Sequence, residues 1–137
     1  MSVGFSFLLM RNPDEWNDST DRQTNLALGY ASWEALFFKV LGCPDTELVE
    51  GTNPDARDEY WEAKFREAIP DFPLLGRISD FFRDVWYDPA ELAQLRNECQ
   101  RVRNKTNDKD AIEGLDALIA GCDEAQQSNL GLFLGAD

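Results

Sequence analysis

Carboxylates are the side chains of this chain that could most readily do chemistry. The sequence holds 26 Asp and Glu residues and no histidine, so the commonest general base in enzymes is missing. Asp58 with Glu62, and Asp80 with Asp84, are spaced by one helical turn and are candidates for paired acid–base work. Because such pairs arise by chance in so acidic a chain, we interpret them as solvated helix faces. No GxGxxG, P-loop, GxSxG or HExxH pattern occurs, and we predict that the protein is not an enzyme.

The three cysteines, Cys43, Cys99 and Cys122, are widely spaced and odd in number. Secreted disulfide frameworks normally use an even number, so this count favours a reducing compartment and predicts a cytoplasmic location. With no histidine and no CxxC pattern, the usual zinc and haem arrangements are missing, and we expect neither a metal nor a cofactor. We interpret the thiols as buried and inert. An enzyme that uses carboxylates or a reactive Cys99 is the alternative.

The net charge of −13, from 26 acidic and 13 basic residues, limits the class of partner. Such a charge repels nucleic acids and anionic membranes, so neither is expected as a partner. The acids are concentrated in residues 45–71, which hold nine acids and three bases, and in residues 108–124, which hold six acids and one base. An acidic surface attracts a basic protein and speeds its association. A merely solvated acidic surface is the alternative interpretation.

Aromatic residues next to acids indicate where a protein partner would bind. Trp16 lies in the acidic stretch DEWND, and Tyr60, Trp86 and Tyr87 stand beside acids at or beyond the ends of apolar stripes. Exposed aromatics ringed by charge are typical of interface hot spots, although the same rings could instead fold back over the edge of the core. The predicted partner-binding residues are Trp16, Asp55, Asp58, Glu59, Tyr60, Glu62, Trp86 and Tyr87.

The first half of the chain must supply a strand, a loop and two helices. Residues 3–10 carry apolar side chains on both faces of an extended chain and predict a strand. The polar residues 11–25 predict a loop. Ser32 is the expected N-cap of an apolar helix that Gly42 and Pro44 end. Asn53 and Pro54 begin the next helix; its apolar stripe consists of Trp61, Phe65, Ala68 and Ile69.

The second half predicts three further helices and a final strand. Apolar spacing indicates a helix over residues 74–84, although Phe, Val and Trp also suit a strand. Asp88 and Glu91 form a box-like capping pattern at the start of the next helix. The last helix starts near residue 111; two glycines on one side of it, Gly114 and Gly121, predict close helix packing. Residues 130–134 predict a strand.

These elements predict one domain over residues 1–137, of the α+β class. It is mostly α-helical, with about five helices and a small sheet that pairs the N- and C-terminal strands. Neither terminal strand is stable alone, so the simplest arrangement pairs residues 3–10 with residues 130–134 beneath the helices. No apolar run reaches the roughly 18 to 20 residues that a membrane-spanning helix requires.

Three segments resemble a known class of protein. TNLALGYASWEALFFKVLGC, YDPAELAQLRNECQRV and NLGLFLGAD, about a third of the chain, are similar to segments of small acidic immunity proteins of bacterial polymorphic-toxin and contact-dependent or type VI secretion systems. The resemblance implies stoichiometric binding to a cognate toxin and no catalysis. It carries over no functional residues, because those proteins share none. The alternative function is an adaptor or scaffold that acts through an apolar groove or through a homodimer burying Trp86 and Tyr87.

Overall fold

The computed structural model describes residues 4–41, 71–79 and 83–136, apart from the side chains of residues 38 and 39. Four strands and three α-helices lie in these ranges. The strands are β1 (Gly4–Met10), β2 (Arg22–Gly29), β3 (Val85–Tyr87) and β4 (Gly131–Ala136). The helices are α1 (Tyr30–Glu34), α2 (Leu92–Arg103) and α3 (Lys109–Ser128). The helix predicted from Asn53 lies outside the described residues.

The four strands form one antiparallel sheet in the order β2-β1-β4-β3. β1 and β4 pair along their length, from Phe5 opposite Ala136 to Met10 opposite Gly131. The predicted pairing of the two terminal strands is therefore present. Nearly all residues of β1 are apolar because Phe5, Phe7 and Leu9 are buried in the core and the opposite face of the strand is also partly covered, at Leu8 and Met10.

The fold class as a whole was predicted wrongly. The described residues contain three α-helices and a four-stranded antiparallel sheet, not about five helices with a sheet of the two terminal strands alone. The two strands that the prediction omitted, β2 and β3, are the edges of the sheet. Edge strands are often short and polar on their open side, so their sequence pattern is weak.

β2 does carry the alternation that a half-buried strand requires. Thr24, Leu26 and Leu28 are buried or half-buried in turn, while the residues between them are exposed. The loop predicted for residues 11–25 ended inside this pattern, because Arg22, Gln23 and Asn25 are polar. A tertiary pairing with β1 outweighs the turn-like composition of these residues.

The helix predicted for residues 74–84 was also wrong. Leu75–Ser79 form a 3₁₀ segment, residues 80–82 lie outside the described residues, and Val85–Tyr87 belong to β3, as the alternative interpretation allowed. Branched and aromatic side chains fit a pleated surface well, and β4 supplies the backbone partners for β3.

α1 follows β2 without a loop, so its start differs from the prediction. Gly29 occupies the N-cap position with no side-chain hydrogen bond, and Ser32 is buried inside the helix. The helix continues as a wider π-type turn over Ala35–Val40, in which the Leu41 N–H donates to the Leu36 carbonyl at 2.9 Å. The predicted N-cap at Ser32 is therefore wrong.

The close helix packing predicted at the two glycines of α3 is present at Gly114, which lies against α1, whereas Gly121 packs against strands β1 and β4. A methyl group on Gly114 would lie 2.8 Å from Cδ1 of Leu28 and 3.0 Å from Cβ of Ser32. A methyl group on Gly121 would lie 3.1 Å from Cδ2 of Phe7. The missing side chains let α3 approach both β2 with α1 and the central strand β1.

The predicted capping pattern before α2 is confirmed. The Glu91 N–H donates to Oδ1 of Asp88 at 3.1 Å, and the Asp88 N–H donates to Oε1 of Glu91 at 3.1 Å. The first turn, Pro89–Glu91, is 3₁₀, and the α-helical part begins at Leu92. α3 begins in a similar way, since Oδ1 of Asp108 accepts the Ala111 N–H at 3.0 Å.

The core lies between the helices and one face of the sheet, and it contains Cys99 and Cys122 with no exposed surface. Burial of these two thiols is confirmed; Cys43 lies outside the described residues. Burial raises the pKa of Cys99 well above its ordinary value and that of Cys122 to about 12. Both side chains therefore stay protonated at neutral pH.

Candidate functional site

The loop between β1 and β2, residues 11–21, is organised around one buried carboxylate. Asp21 is 7% exposed and accepts three hydrogen bonds: from the Arg11 N–H at 3.0 Å, the Asn17 N–H at 2.8 Å and Oγ1 of Thr20 at 3.0 Å. Burial opposes ionisation of Asp21, but the hydrogen bonds from the Asn17 and Arg11 backbones outweigh it and lower the pKa. One side chain thus ties both ends of the loop to its middle.

Two asparagine side chains shape the rest of this loop. Oδ1 of Asn12 accepts the Asp14 N–H at 2.9 Å, and Oδ1 of Asn17 accepts the Ser19 N–H at 2.9 Å. Such side-chain-to-backbone bonds mimic a backbone turn. The loop therefore has a defined internal structure.

Trp16 stands on this loop and is exposed over 42% of its surface. Its indole Nε1 donates to Oδ1 of Asp18 at 2.6 Å, which orients the ring. Asp14, Glu15 and Asp18 are exposed around it. The arrangement combines one oriented aromatic ring with a rim of carboxylates, and we call it the Trp16 loop (residues 11–21). Its exposure agrees with the sequence analysis; its use in partner binding stays a prediction.

Trp86 lies on the sheet face opposite the helices. It pairs with Phe133 of β4, which in turn pairs with Leu8 of β1, and all three side chains are half-buried. The Trp86 ring covers Gly131, where any Cβ atom would collide with it. These residues form one apolar row across three strands, named here the outer row (Leu8, Phe133 and Trp86).

The prediction that Tyr87 is an exposed partner-binding residue was wrong. It has no exposed surface, and its hydroxyl donates to the Leu74 carbonyl at 2.5 Å. Burial raises its pKa well above 10. Neighbouring residues of a strand point to opposite faces, so Trp86 lies on the outer face and Tyr87 lies in the core.

Five residues of the predicted set lie outside the described part of the chain. They are Asp55, Asp58, Glu59, Tyr60 and Glu62. Their use in partner binding stays a prediction from the sequence.

A buried carboxylate on α2 was not predicted from the sequence. Glu98 is 1% exposed, and its Oε1 accepts the Leu74 and Leu75 N–H groups at 3.0 Å each. Its Oε2 accepts Nε2 of Gln94 at 3.0 Å. A signal was available, because Glu98 interrupts the apolar side of α2 next to Cys99. Its contacts are with two backbone N–H groups and the side chain of Gln94 and point to a structural function.

An ion-pair cluster at the open edge of β3 was not predicted from the sequence either. Nη1 of Arg77 donates to the Trp86 carbonyl at 3.1 Å and to Oε1 of Glu91 at 3.0 Å, and Nη2 donates to Oε2 of Glu91. The guanidinium lies 5.4 Å from the centre of the Tyr87 ring. The hydrogen bond from Arg77 lowers the pKa of Glu91 and raises that of Arg77. No local sequence pattern links residues 14 positions apart.

A second exposed aromatic residue, Tyr30, was not predicted. It is 48% exposed at the start of α1, and its ring centre lies 6.1 Å from that of Trp33. The ring of Trp33 in turn packs against that of the buried Phe37, with ring centres 5.4 Å apart. Because β2 separates Tyr30 from the Trp16 loop, the two exposed rings lie at opposite ends of that strand.

Within the residues that the structure describes, no group of three or more Asp, Glu or Cys side chains could hold a metal ion. The described helices include none that is both long and apolar enough to span a bilayer. No protein-family model, curated protein or solved structure matches the chain. The proposals below therefore depend on the chain's own residues.

Proposed function

We propose that this protein is a cytoplasmic immunity protein that binds and neutralises a cognate bacterial toxin, and that the Trp16 loop forms part of the contact surface. The observation that carries the proposal is the Trp16 ring, exposed over 42% of its surface and held by Asp18 among exposed carboxylates.

A structured loop suits this function because ordering a flexible one on binding costs affinity. Holding a rotamer-rich side chain at an interface costs about 0.5 to 1.5 kcal/mol. In the Trp16 loop, the bonds of Asp21, Asn12 and Asn17 have already fixed the backbone. The entropic cost of docking is correspondingly smaller.

The carboxylates around Trp16 favour a basic partner. Residues 12–21 contain four acids and no base, and the whole chain is strongly acidic. Opposite charge steers the encounter of two proteins, whereas a buried aromatic ring supplies most of the binding energy. A toxin with a basic active-site surface fits both parts of this arrangement.

The test measures binding to the purified product of the neighbouring gene, by titration calorimetry and stopped-flow kinetics. Trp16→Ala should raise Kd about 30-fold, the equivalent of a hot-spot loss of about 2 kcal/mol. Glu15→Lys should slow association at low salt. The difference in association rate should vanish at about 0.5 M salt, where the Debye screening length falls to roughly 4 Å.

Two matched controls lie at the far end of β2. Tyr30→Ala removes another exposed ring, and Glu113→Lys reverses another exposed charge on α3. Both should bind as the unchanged protein does. Equal losses for Trp16→Ala and Tyr30→Ala would contradict the assignment to this loop. Absence of any complex with the toxin would refute the function itself.

A second candidate function is an adaptor or scaffold that docks through an apolar surface. The outer row of Leu8, Phe133 and Trp86 supports it, because three large apolar side chains line one sheet face. In that case Trp86→Ser should abolish partner binding or homodimerisation while Trp16→Ala leaves it unchanged. Since Tyr87 is buried, a homodimer would use Trp86 without Tyr87.

A further inference from the structure

The sheet ends in two edge strands, β2 and β3, and open edges invite pairing with another chain. β2 is interrupted by a bulge, where its register with β1 shifts between Ser6 and Leu8. Oγ1 of Thr24 fills the bulge, since it donates to the Phe7 carbonyl at 2.8 Å and accepts the Leu26 N–H at 3.0 Å. A bulge is one of the devices that prevent strand addition.

β3 has three residues and a regular register, so it needs another device. In an antiparallel pair the N–H and C=O groups of one residue point to the same side, and the side alternates along the strand. The Trp86 carbonyl accepts from Arg77, so Trp86 directs its backbone away from β4. The next residue with this orientation is Asp88.

The Arg77–Glu91 pair engages outward backbone groups at both positions: the carbonyl of Trp86, and the N–H and carbonyl of Asp88. Arg77 donates to the Trp86 carbonyl at 3.1 Å, and Oε1 of Glu91 accepts the Asp88 N–H at 3.1 Å. The Glu91 N–H in turn donates to the Asp88 carbonyl at 3.0 Å. An incoming strand would have to displace this ion pair to form its first hydrogen bonds.

The geometry points to a protective function: the Arg77–Glu91 pair closes the β3 edge and prevents a second copy of this chain from adding to the sheet there. The ion pair itself is in contact with solvent, since the Arg77 and Glu91 side chains are 41% and 25% exposed. The guanidinium is held in place by its contacts with Glu91 and the Tyr87 ring. This function is independent of toxin binding.

The test compares the variants Arg77→Met and Arg103→Met. Each removes one positive charge from a surface ion pair, but Arg103 pairs with Asp116 between α2 and α3, away from the sheet edge. In light scattering after gel filtration, the weight-average mass of Arg77→Met should rise with concentration by about twofold over the unchanged protein, because twofold-symmetric dimers are the commonest assembly. Arg103→Met should behave as the unchanged protein.

Hydrogen–deuterium exchange identifies the surface that associates. If β3 is the contact, the Trp86 amide of Arg77→Met should exchange more slowly at high than at low concentration. An unchanged mass, or a raised mass without protection at Trp86, would overturn the proposal. If Arg77→Met loses its circular dichroism signal, Glu91→Gln, which keeps an acceptor for the Asp88 N–H, decides the question by the same two measurements.

Discussion

The buried carboxylate of Glu98 provides the sharpest test of the packing between α2 and the 3₁₀ segment. It accepts two backbone N–H groups, those of Leu74 and Leu75, at 3.0 Å each and has 1% exposure. These bonds satisfy the N–H groups at the start of Leu75–Ser79. The perturbations are Glu98→Gln, which removes the charge, and Glu98→Leu, which removes the acceptor.

The two substitutions should differ in cost. A hydrogen bond to a charged group contributes about 1.5 to 3 kcal/mol and a neutral one about 0.5 to 1.5, so Glu98→Gln should lose about 1 kcal/mol for each of two bonds. Glu98→Leu leaves two buried N–H groups without an acceptor, at about 1 to 3 kcal/mol each. We therefore expect losses of about 2 and about 4 kcal/mol in the free energy of unfolding.

Urea unfolding followed by circular dichroism measures both values, provided that the transition is two-state. Glu113→Gln, an exposed carboxylate on α3, is the matched control and should stay within about 0.5 kcal/mol of the unchanged protein. Hydrogen exchange at the Leu74 and Leu75 amides adds a local readout. Equal stability of Glu98→Leu and the control, or unchanged exchange at those two amides, would refute the reasoning.

Two further predictions concern α3 and the Trp16 loop. Gly114→Ala should destabilise the protein by about 1 kcal/mol more than Gly121→Ala in urea unfolding. The reason is that the methyl group at position 114 would lie 2.8 Å from Leu28, whereas that at position 121 would lie 3.1 Å from Phe7. Equal free energies of unfolding for the two variants would contradict the packing argument. The lowered pKa of Asp21 means that its carboxylate stabilises the fold above its unfolded pKa of 3.8, and that this stabilisation is lost as the pH falls through the lower, folded value. The free energy of unfolding, measured from neutral pH to about pH 2, should therefore decline less for Asp21→Asn, in which Glu91 still has a lowered pKa, than for the unchanged protein. Parallel profiles for the two proteins would exclude this origin.

Features that depend on neighbouring residues were predictable from the sequence. Asp88 and Glu91 satisfy each other's backbone within one turn, so their types and spacing suffice. The apolar residues of β1 and β4 predicted two buried strands, and pairing them was the simplest way to satisfy both. The glycines of α3 predicted close helix packing, which Gly114 makes with α1, whereas Gly121 packs against the sheet.

Features that depend on distant partners could not be predicted in this way. Glu98 meets Leu74 and Leu75 across more than 20 positions of sequence, and nothing near Glu98 indicates an acceptor for them. The same holds for Arg77, whose partner Glu91 lies across the end of β3. Tyr87 was predicted to be exposed because it stands beside Asp88. Residues of a strand alternate between its two faces, which places Tyr87 in the core, but a helix was predicted for the preceding residues and this alternation was not applied.

Two of the predicted partner-binding residues are brought to one end of the sheet. Trp86 covers Gly131, and Gly131 pairs with Met10, the last residue of β1 before the Trp16 loop. Trp86 lies opposite Phe133, which lies opposite Leu8, three residues before the loop begins at Arg11. Adjacent strands lie about 4.8 Å apart and a strand rises about 3.4 Å per residue, so the backbone of Trp86 is roughly 14 Å from the start of that loop. Standard interfaces bury about 800 Å² on each partner, an area wide enough to include both Trp16 and the exposed part of Trp86. Residues 70 positions apart in the sequence can thus contribute to one surface, with the loop supplying charge and an aromatic anchor and the outer row supplying apolar area.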